Sequence, residues 1–426
     1  DLHLSIRRQR QMCIRDRRNT MKKIQELQQV KGDAYDYYIA GNEDTDLFEK
    51  IFLVDDIVEE ICKPDKYFLI GEKGSGKTAY SVYMSKSDKI NSFCSISLVE
   101  NTLYQRFLNM KRQKALELSS FKDVWINLIY LILAEKIRKE YGETFFSSIK
   151  YKQLSKAIDV FYSDAFKPEF VNAFEFVDNA SASINSMMKQ GLFSTGTKAS
   201  AETSQKYVEQ SFQISLLKIR DGFEKAFMSV NLKKPTILFV DGIDARPRDI
   251  DNEQYFECLV GLVNAVLEMN QSFLKEKQIK IMLLIRPDIM YKMPVHNMNQ
   301  KLRNNSVLLN WVTSYRKYID SKLFKIADDY FMKQQDYSYE LGECWNYYFP
   351  YKVEYQEKWK APDNPFVEFL RYSLYKPRDI LTMLNEMVDA TSGTQFKHSD
   401  FEGILSNYST YLKGELKDYM LSLIHI

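Results

Sequence analysis

The octapeptide Gly71-Glu72-Lys73-Gly74-Ser75-Gly76-Lys77-Thr78 constrains this chain more than any other stretch of its 426 residues. It fits G-x-x-x-x-G-K-[ST], follows the apolar run Tyr67-Phe68-Leu69-Ile70, and precedes a helical pattern that starts at Lys77. In the order strand, glycine loop, helix, this spacing makes a phosphate cradle. Glycines let consecutive N–H groups converge on one anion, and the positive end of the following helix favours it. Gly71, Gly74, Ser75, Gly76, Lys77, Thr78 and Ala79 are then the expected phosphate-binding residues. Lys77 would reach the β- and γ-phosphates, and Thr78 would offer its hydroxyl to Mg²⁺.

The rest of the chain reads as α/β. Ser92 to Leu98, Thr236 to Val240 and Ile279 to Ile285 are apolar strand patterns, and Val307 to Leu309 is one more candidate. Helical patterns alternate with them. The best are Asp123 to Tyr141, with Asp123 as expected N-cap, Tyr207 to Val230, and Asn252 to Phe273. Residues 21–64 look helical and end in the acidic amphipathic stretch Asp44 to Ile61. Residues 187–205 are rich in Ser, Thr, Gly and Lys and read as a flexible insertion. After Trp311 the pattern is helical, broken by an aromatic-rich loop at Trp345 to Pro350. This predicts an N-terminal helical segment (18–64), a P-loop α/β domain with a three-layer parallel sheet (65–312), an all-helical domain (313–400), and the start of a further region (401–420).

Four more sites carry possible chemistry. Ile237-Leu238-Phe239-Val240-Asp241 is an apolar strand ending in Asp, the Walker B form, in which Asp241 holds Mg²⁺ at a strand's carboxyl end. Asp244 either orients the attacking water or caps a turn. Arg286 directly follows the strand Ile279 to Ile285. It either senses a γ-phosphate bidentately or pairs with a nearby acid, and it should face the ligand if its strand neighbours that of Asp241. Asp288 is an expected helix N-cap. In Tyr375-Lys376-Pro377-Arg378-Asp379, Arg378 is either a second phosphate sensor or a solvated helix-start arginine. Arg246 and Arg248 are weaker candidates for action on a neighbouring subunit. His296 and His398 read as surface or loop histidines, and Trp125 and Trp311 as core.

Composition bounds the remaining classes. With 45% hydrophobic and 27% charged residues, the chain is neither disordered nor collagenous. No run approaches the roughly 20 apolar residues of a membrane helix. The five cysteines show no metal-site or disulfide spacing, and a reducing cytoplasm is the expected location. Residues 7–17 (RRQRQMCIRDR) and 421–426 (LSLIHI) read as translations of the two orientations of a transposon mosaic-end sequencing adapter, and 1–3 (DLH) fits its far side. The expectation is that 1–17 and 421–426 are adapter-derived, that the natural chain starts at Met21, and that it is cut off near Met420. Without the five arginines and two aspartates of residues 1–17, the formal charge of +2 becomes −1, so charge implies no polyanion partner.

The series GEKGSGKT, ILFVDGID, LLIRPDI and YKPRDI resembles the AAA+-related P-loop ATPases of the STAND class, which includes NACHT and KAP proteins. It is more closely similar to a bacterial P-loop ATPase family with the same motif order, over about residues 42–420. The resemblance implies an AAA+/STAND-type P-loop fold followed by a helical lid, with ATP bound between them and Mg²⁺ as cofactor. It implies a Walker A role for Lys77 and Thr78, Walker B for Asp241, a sensor-1 role for Arg286 and a lid-sensor role for Arg378. The implied function is ATP hydrolysis driving a conformational switch, with bacterial antiphage defence as its setting by analogy. Ala245 stands where NACHT proteins usually carry Glu after D-G-x-D, which implies slow turnover or nucleotide-dependent switching alone. No inserted membrane helices of the KAP kind are present. Two other readings stay open. One is a DNA-associated ATPase whose nucleic-acid contact lies in a winged helix beyond residue 420. The other is a pseudo-ATPase interaction module, with an unidentified protein partner or self-association.

Overall fold

The computed structural model of the chain describes residues 21–39, 42–99, 121–146, 151–164, 216–243, 252–293, 298–353 and 363–424. Two compact units divide it. A sheet unit comprises Glu60–Ile70 and Asp88–Leu308, and a helical unit comprises Asp1–Glu59, Gly71–Ser87 and Leu309–Ile426.

The sheet unit is α/β. Its five strands are β1 (Phe68–Ile70), β2 (Phe93–Leu98), β3 (Thr236–Asp241), β4 (Ile279–Ile285) and β5 (Ser306–Leu308). All pair in parallel, in the order β2-β3-β4-β1-β5. Every residue of β3 and β4 is buried, as expected of central parallel strands covered on both faces. The consequence for function is positional. Strand β4 lies between β1 and β3, with Ile70 beside Ile285 and Val240 beside Leu283. Gly71 and Arg286 therefore follow directly on the carboxyl ends of two adjacent strands, and Asp241 closes the third. Ligands of open parallel sheets collect at such ends, beside a reversal of strand order.

Lys280 is the one charged residue inside β4. Its ammonium donates to the carbonyls of Ile61 and Lys63, and burial pushes it down to about 8. Helix Phe121–Phe146 and helix Asn252–Gln271 pack together in the apolar core, and the indole N–H of Trp125 donates to the Cys258 carbonyl at 3.0 Å. Asp123 sits inside the first helix, which begins by Phe121, so it is not the N-cap expected there.

The stretch Asp44 to Ile61, expected to be helical, folds as two helices, Asn42–Ile51 and Asp56–Cys62. Asp55 interrupts it by capping the second: its carboxylate accepts from the Ile57 N–H at 3.1 Å and its carbonyl from the Val58 N–H at 3.2 Å. The aromatic run at Trp345 is not a loop, because Glu343–Tyr348 forms a helix. The fully buried Asp328 carboxylate accepts from the Gly342 and Trp345 N–H groups, satisfying that helix's start, and Trp345 stacks on Phe349 at 4.1 Å. The tryptophan and phenylalanines are the helical unit's core. An extended segment around Gln28 and Val30 is fixed by side-chain amides: Gln334 bonds both the N–H and C=O of Gln28, and Asn385 bonds both of Val30.

Candidate functional site

The glycine loop belongs to the helical unit, where its geometry follows from its residues. Gly74 and Gly76 have φ of 79° and 93°, left-handed values that L side chains rarely adopt. Gly71 is excluded from carrying a side chain by space: a Cβ there would lie 2.3 Å from Ser75 Oγ and 3.1 Å from Leu309 Cβ. The loop ends at helix Lys77–Lys86, whose N-cap is Gly76, so Lys77, Thr78 and Ala79 form its first turn. Lys77 is buried, and its Nζ donates to the carbonyls of Gly71 at 2.8 Å and Glu72 at 3.3 Å. The ammonium thus lies across the mouth of the loop it belongs to. The Ser75 hydroxyl is buried and has no hydrogen-bond partner among the described residues.

Arg378 is brought to this loop. Helix Pro377–Ala390 has Lys376 as N-cap, Pro377 at its first position and Arg378 at its second. The Arg378 N–H donates to the Gly74 carbonyl at 3.4 Å, and a methyl group on Gly74 would meet Arg378 Cβ at 3.4 Å and Lys376 Cδ at 3.6 Å. Lys376 pairs with Glu72 at 3.2 Å and Lys73 with Glu415 at 3.0 Å. Lys73 and Lys77 of the loop, with Lys376 and Arg378 beside it, outnumber the carboxylates of Glu72 and Glu415 there, leaving an excess of positive charge suited to a polyanion.

Several residues of the site carried no sequence signal. Trp311, read as core, is half-buried against the loop, and its indole N–H donates to the Ser75 carbonyl at 2.9 Å. An apolar cleft opens beside Gly76 and Ala79. Val30, Phe52, Tyr80, Trp311, Pro377 and Leu381 are among the residues that line it. Tyr80 is fixed at its far end, where its hydroxyl donates to Asp55 at 3.0 Å and Lys322 bonds Asp55 and Asp56, each at 2.7 Å. Burial, then the Asp55 charge, push the Tyr80 phenol far up, so it stays a neutral donor.

Asp241 and Arg286 belong to the sheet unit. Asp241 is buried at the end of β3, and its Oδ1 accepts from the Gly242 N–H at 2.7 Å. Arg286 follows β4, which is indeed the neighbour of β3. Its guanidinium makes a two-pronged pair with Asp288, at 2.9 Å and 2.7 Å, and both side chains are largely buried. Arg286 is itself the N-cap residue of helix Pro287–Lys292, so Asp288 holds the arginine's orientation and is not the cap expected for it. Asp244, Ala245, Arg246, Arg248, His296 and the insertion 187–205 lie outside the described residues. His398 opens helix His398–Ile424 and bonds the buried Glu368 at 3.1 Å.

Among the described residues no cluster of His, Cys, Asp and Glu could hold a metal by itself, and no helix is long and apolar enough to cross a membrane. Comparison with protein-family models, with curated proteins and with solved structures returned no match.

Proposed function

We propose that this protein binds ATP on the Gly71–Thr78 loop and hydrolyses it to drive a conformational switch. The observation that carries the proposal is the loop itself. Its glycines hold backbone conformations and clearances that a side chain would destroy, and a buried lysine and a helix start complete a phosphate cradle. Three features fit a nucleoside triphosphate in particular. Positive charge is in excess at the loop, and the buried Ser75 hydroxyl is unpartnered among the described residues. The apolar cleft beside Gly76 and Ala79 has the character of a base site, with aromatic Phe52, Tyr80 and Trp311 in its lining.

In this proposal the loop N–H groups and Lys77 bind the phosphates. By the motif order alone, Thr78 and Asp241 are the hard oxygen donors expected for Mg²⁺, which would supply charge neutralisation at the β- and γ-phosphates. Lys376 and Arg378, packed on Gly74, would register a change in phosphate charge, which makes Pro377–Ala390 the first helix to respond. By the motif order alone, Arg286, whose guanidinium Asp288 orients, is the other expected sensor. Asp244 is the proposed base or water-orienting group. The motif order supports assignment to the AAA+-related STAND class, with a helical lid, a cytoplasmic location and a defence role as its corollaries.

Phosphate release by the wild type and by Asp244→Asn tests the catalytic part. Turnover that falls about 100-fold or more in the variant supports hydrolysis with Asp244 as base. ATP binding with no turnover in either protein refutes hydrolysis in favour of a nucleotide-binding interaction module.

A further inference from the structure

The proposed ATP site leaves one set of contacts without a role. Helix His398–Ile424 reaches the phosphate loop through a single face. Tyr408, Tyr411 and Glu415 recur at intervals of three and four residues, the spacing that places side chains in one stripe. Tyr408 donates to the Tyr372 carbonyl at 3.1 Å. Tyr411 donates to Asp379 Oδ1 at 3.2 Å, and the other oxygen of Asp379 accepts from the Leu374 N–H at 2.8 Å. Asp379 is buried, and between Leu374 and Lys376 the chain passes through Tyr375 at φ 54°. That turn delivers Lys376 and Arg378 to Gly74. One turn beyond Tyr411, Glu415 pairs with Lys73 inside the loop, with the two side chains 20% and 31% exposed.

We infer that helix His398–Ile424 is a nucleotide-responsive arm, docked on the phosphate loop by Glu415 and on the neighbouring Asp379 by Tyr411, and that ATP binding and arm docking oppose each other through Lys73. The inference rests on the ATP reading above. Its physical basis is charge. A triphosphate on the loop attracts the Lys73 ammonium, which is then shared with Glu415, and it repels the Glu415 carboxylate directly. Linkage makes the effect reciprocal: the factor by which bound nucleotide weakens arm docking is the factor by which arm docking weakens nucleotide binding. Tyr411 transmits the same change to Asp379 and so to the turn that carries Arg378.

The test uses the full chain, a fluorescent Mg–ATPγS analogue, and hydrogen exchange of the amides of 411–420. Glu415→Gln should bind the analogue roughly two- to fivefold tighter than wild type at low salt, the range for a partly exposed ion pair, with the gain shrinking as salt rises. In a Lys73→Gln background the same substitution should change affinity by less than about 1.5-fold, because the coupling partner is gone. In the wild type, exchange across 411–420 should quicken when the analogue saturates the protein. Unchanged or weaker binding by Glu415→Gln, or exchange indifferent to the analogue, overturns the arm while leaving the ATP site intact. Binding that survives unchanged in Lys77→Ala overturns the ATP reading and the arm with it.

Discussion

Gly71→Ala adds one methyl group where the phosphate loop has no room for it. The new Cβ would lie 2.3 Å from Ser75 Oγ and 3.1 Å from Leu309 Cβ. The first neighbour is the hydroxyl of Ser75, which is 2% exposed, so the new methyl group meets it inside packed protein. The second is fixed to the main chain and moves only with it. Overpacking of this kind costs about 1–3 kcal/mol. The Ser75 hydroxyl makes no hydrogen bond among the described residues, so Ser75→Ala sacrifices none and should shift stability by no more than about 0.5 kcal/mol. It does remove the atom that the new methyl group strikes. Gly71→Ala/Ser75→Ala should therefore recover most of the loss, with a coupling energy of about 1–2 kcal/mol. Urea unfolding of the four proteins, followed by tryptophan fluorescence, measures the cycle. Effects that add to within about 0.5 kcal/mol would refute the steric reasoning, because residues not in contact add to that precision.

Two further substitutions probe other parts of the helical unit. Burial pushes the Asp329 carboxyl from its ordinary 3.8 up to about 6, against the opposing charge of Lys333 3.9 Å away. The folded state thus takes up this proton before the unfolded chain does, so the residue's contribution is fully present below 3.8 and is lost as pH rises through about 6. Asp329→Asn should flatten the unfolding midpoint between those values and stabilise the protein at neutral pH by on the order of 1–3 kcal/mol, read from denaturation at a series of pH values. Trp311→Phe keeps the aromatic wall of the cleft and deletes the bond to the Ser75 carbonyl, worth about 0.5–1.5 kcal/mol. ATP affinity should fall by roughly two- to tenfold in a calorimetric titration, and an unchanged affinity would separate Trp311 from the site.

The parts of this structure legible in the sequence are those written in neighbouring residues. The loop at Gly71 announces itself by spacing, and the β1, β3 and β4 runs by apolar character, broken inside only at Lys280 of β4, as buried parallel strands require. The placement of β4 beside β3 depended on pairing that no local pattern encodes, although the position of Arg286 after an apolar run hinted at its consequence. What escaped is long-range and polar. Trp311 reaches Ser75 across 236 positions, Asn385 holds Val30 across 355, and Lys322 meets Asp55 across 267. Trp311 looks like any core tryptophan until the loop beside it is known. The helix at Glu343 was missed because its start signal is not adjacent: Asp328, a turn and a helix away, supplies the carboxylate that a local cap would have supplied. The break at Asp55 was legible in principle, since an Asp two residues before Ile57 is a capping signal, but the amphipathic period running through it was the louder pattern.

The ATP-binding proposal stands most directly on Lys77. Its ammonium lies over the Gly71 and Glu72 carbonyls at the loop mouth, where the β- and γ-phosphates would draw it. Calorimetric titration of the full chain with Mg–ATP, beside Lys77→Ala of matched helical content, measures that contact. A charge-assisted bond of this kind is worth about 1.5–3 kcal/mol, so the wild type should bind with a saturable single-site isotherm and the variant at least about tenfold more weakly. Equal affinity in the two proteins, or a wild type that does not bind Mg–ATP at all, would contradict the proposal.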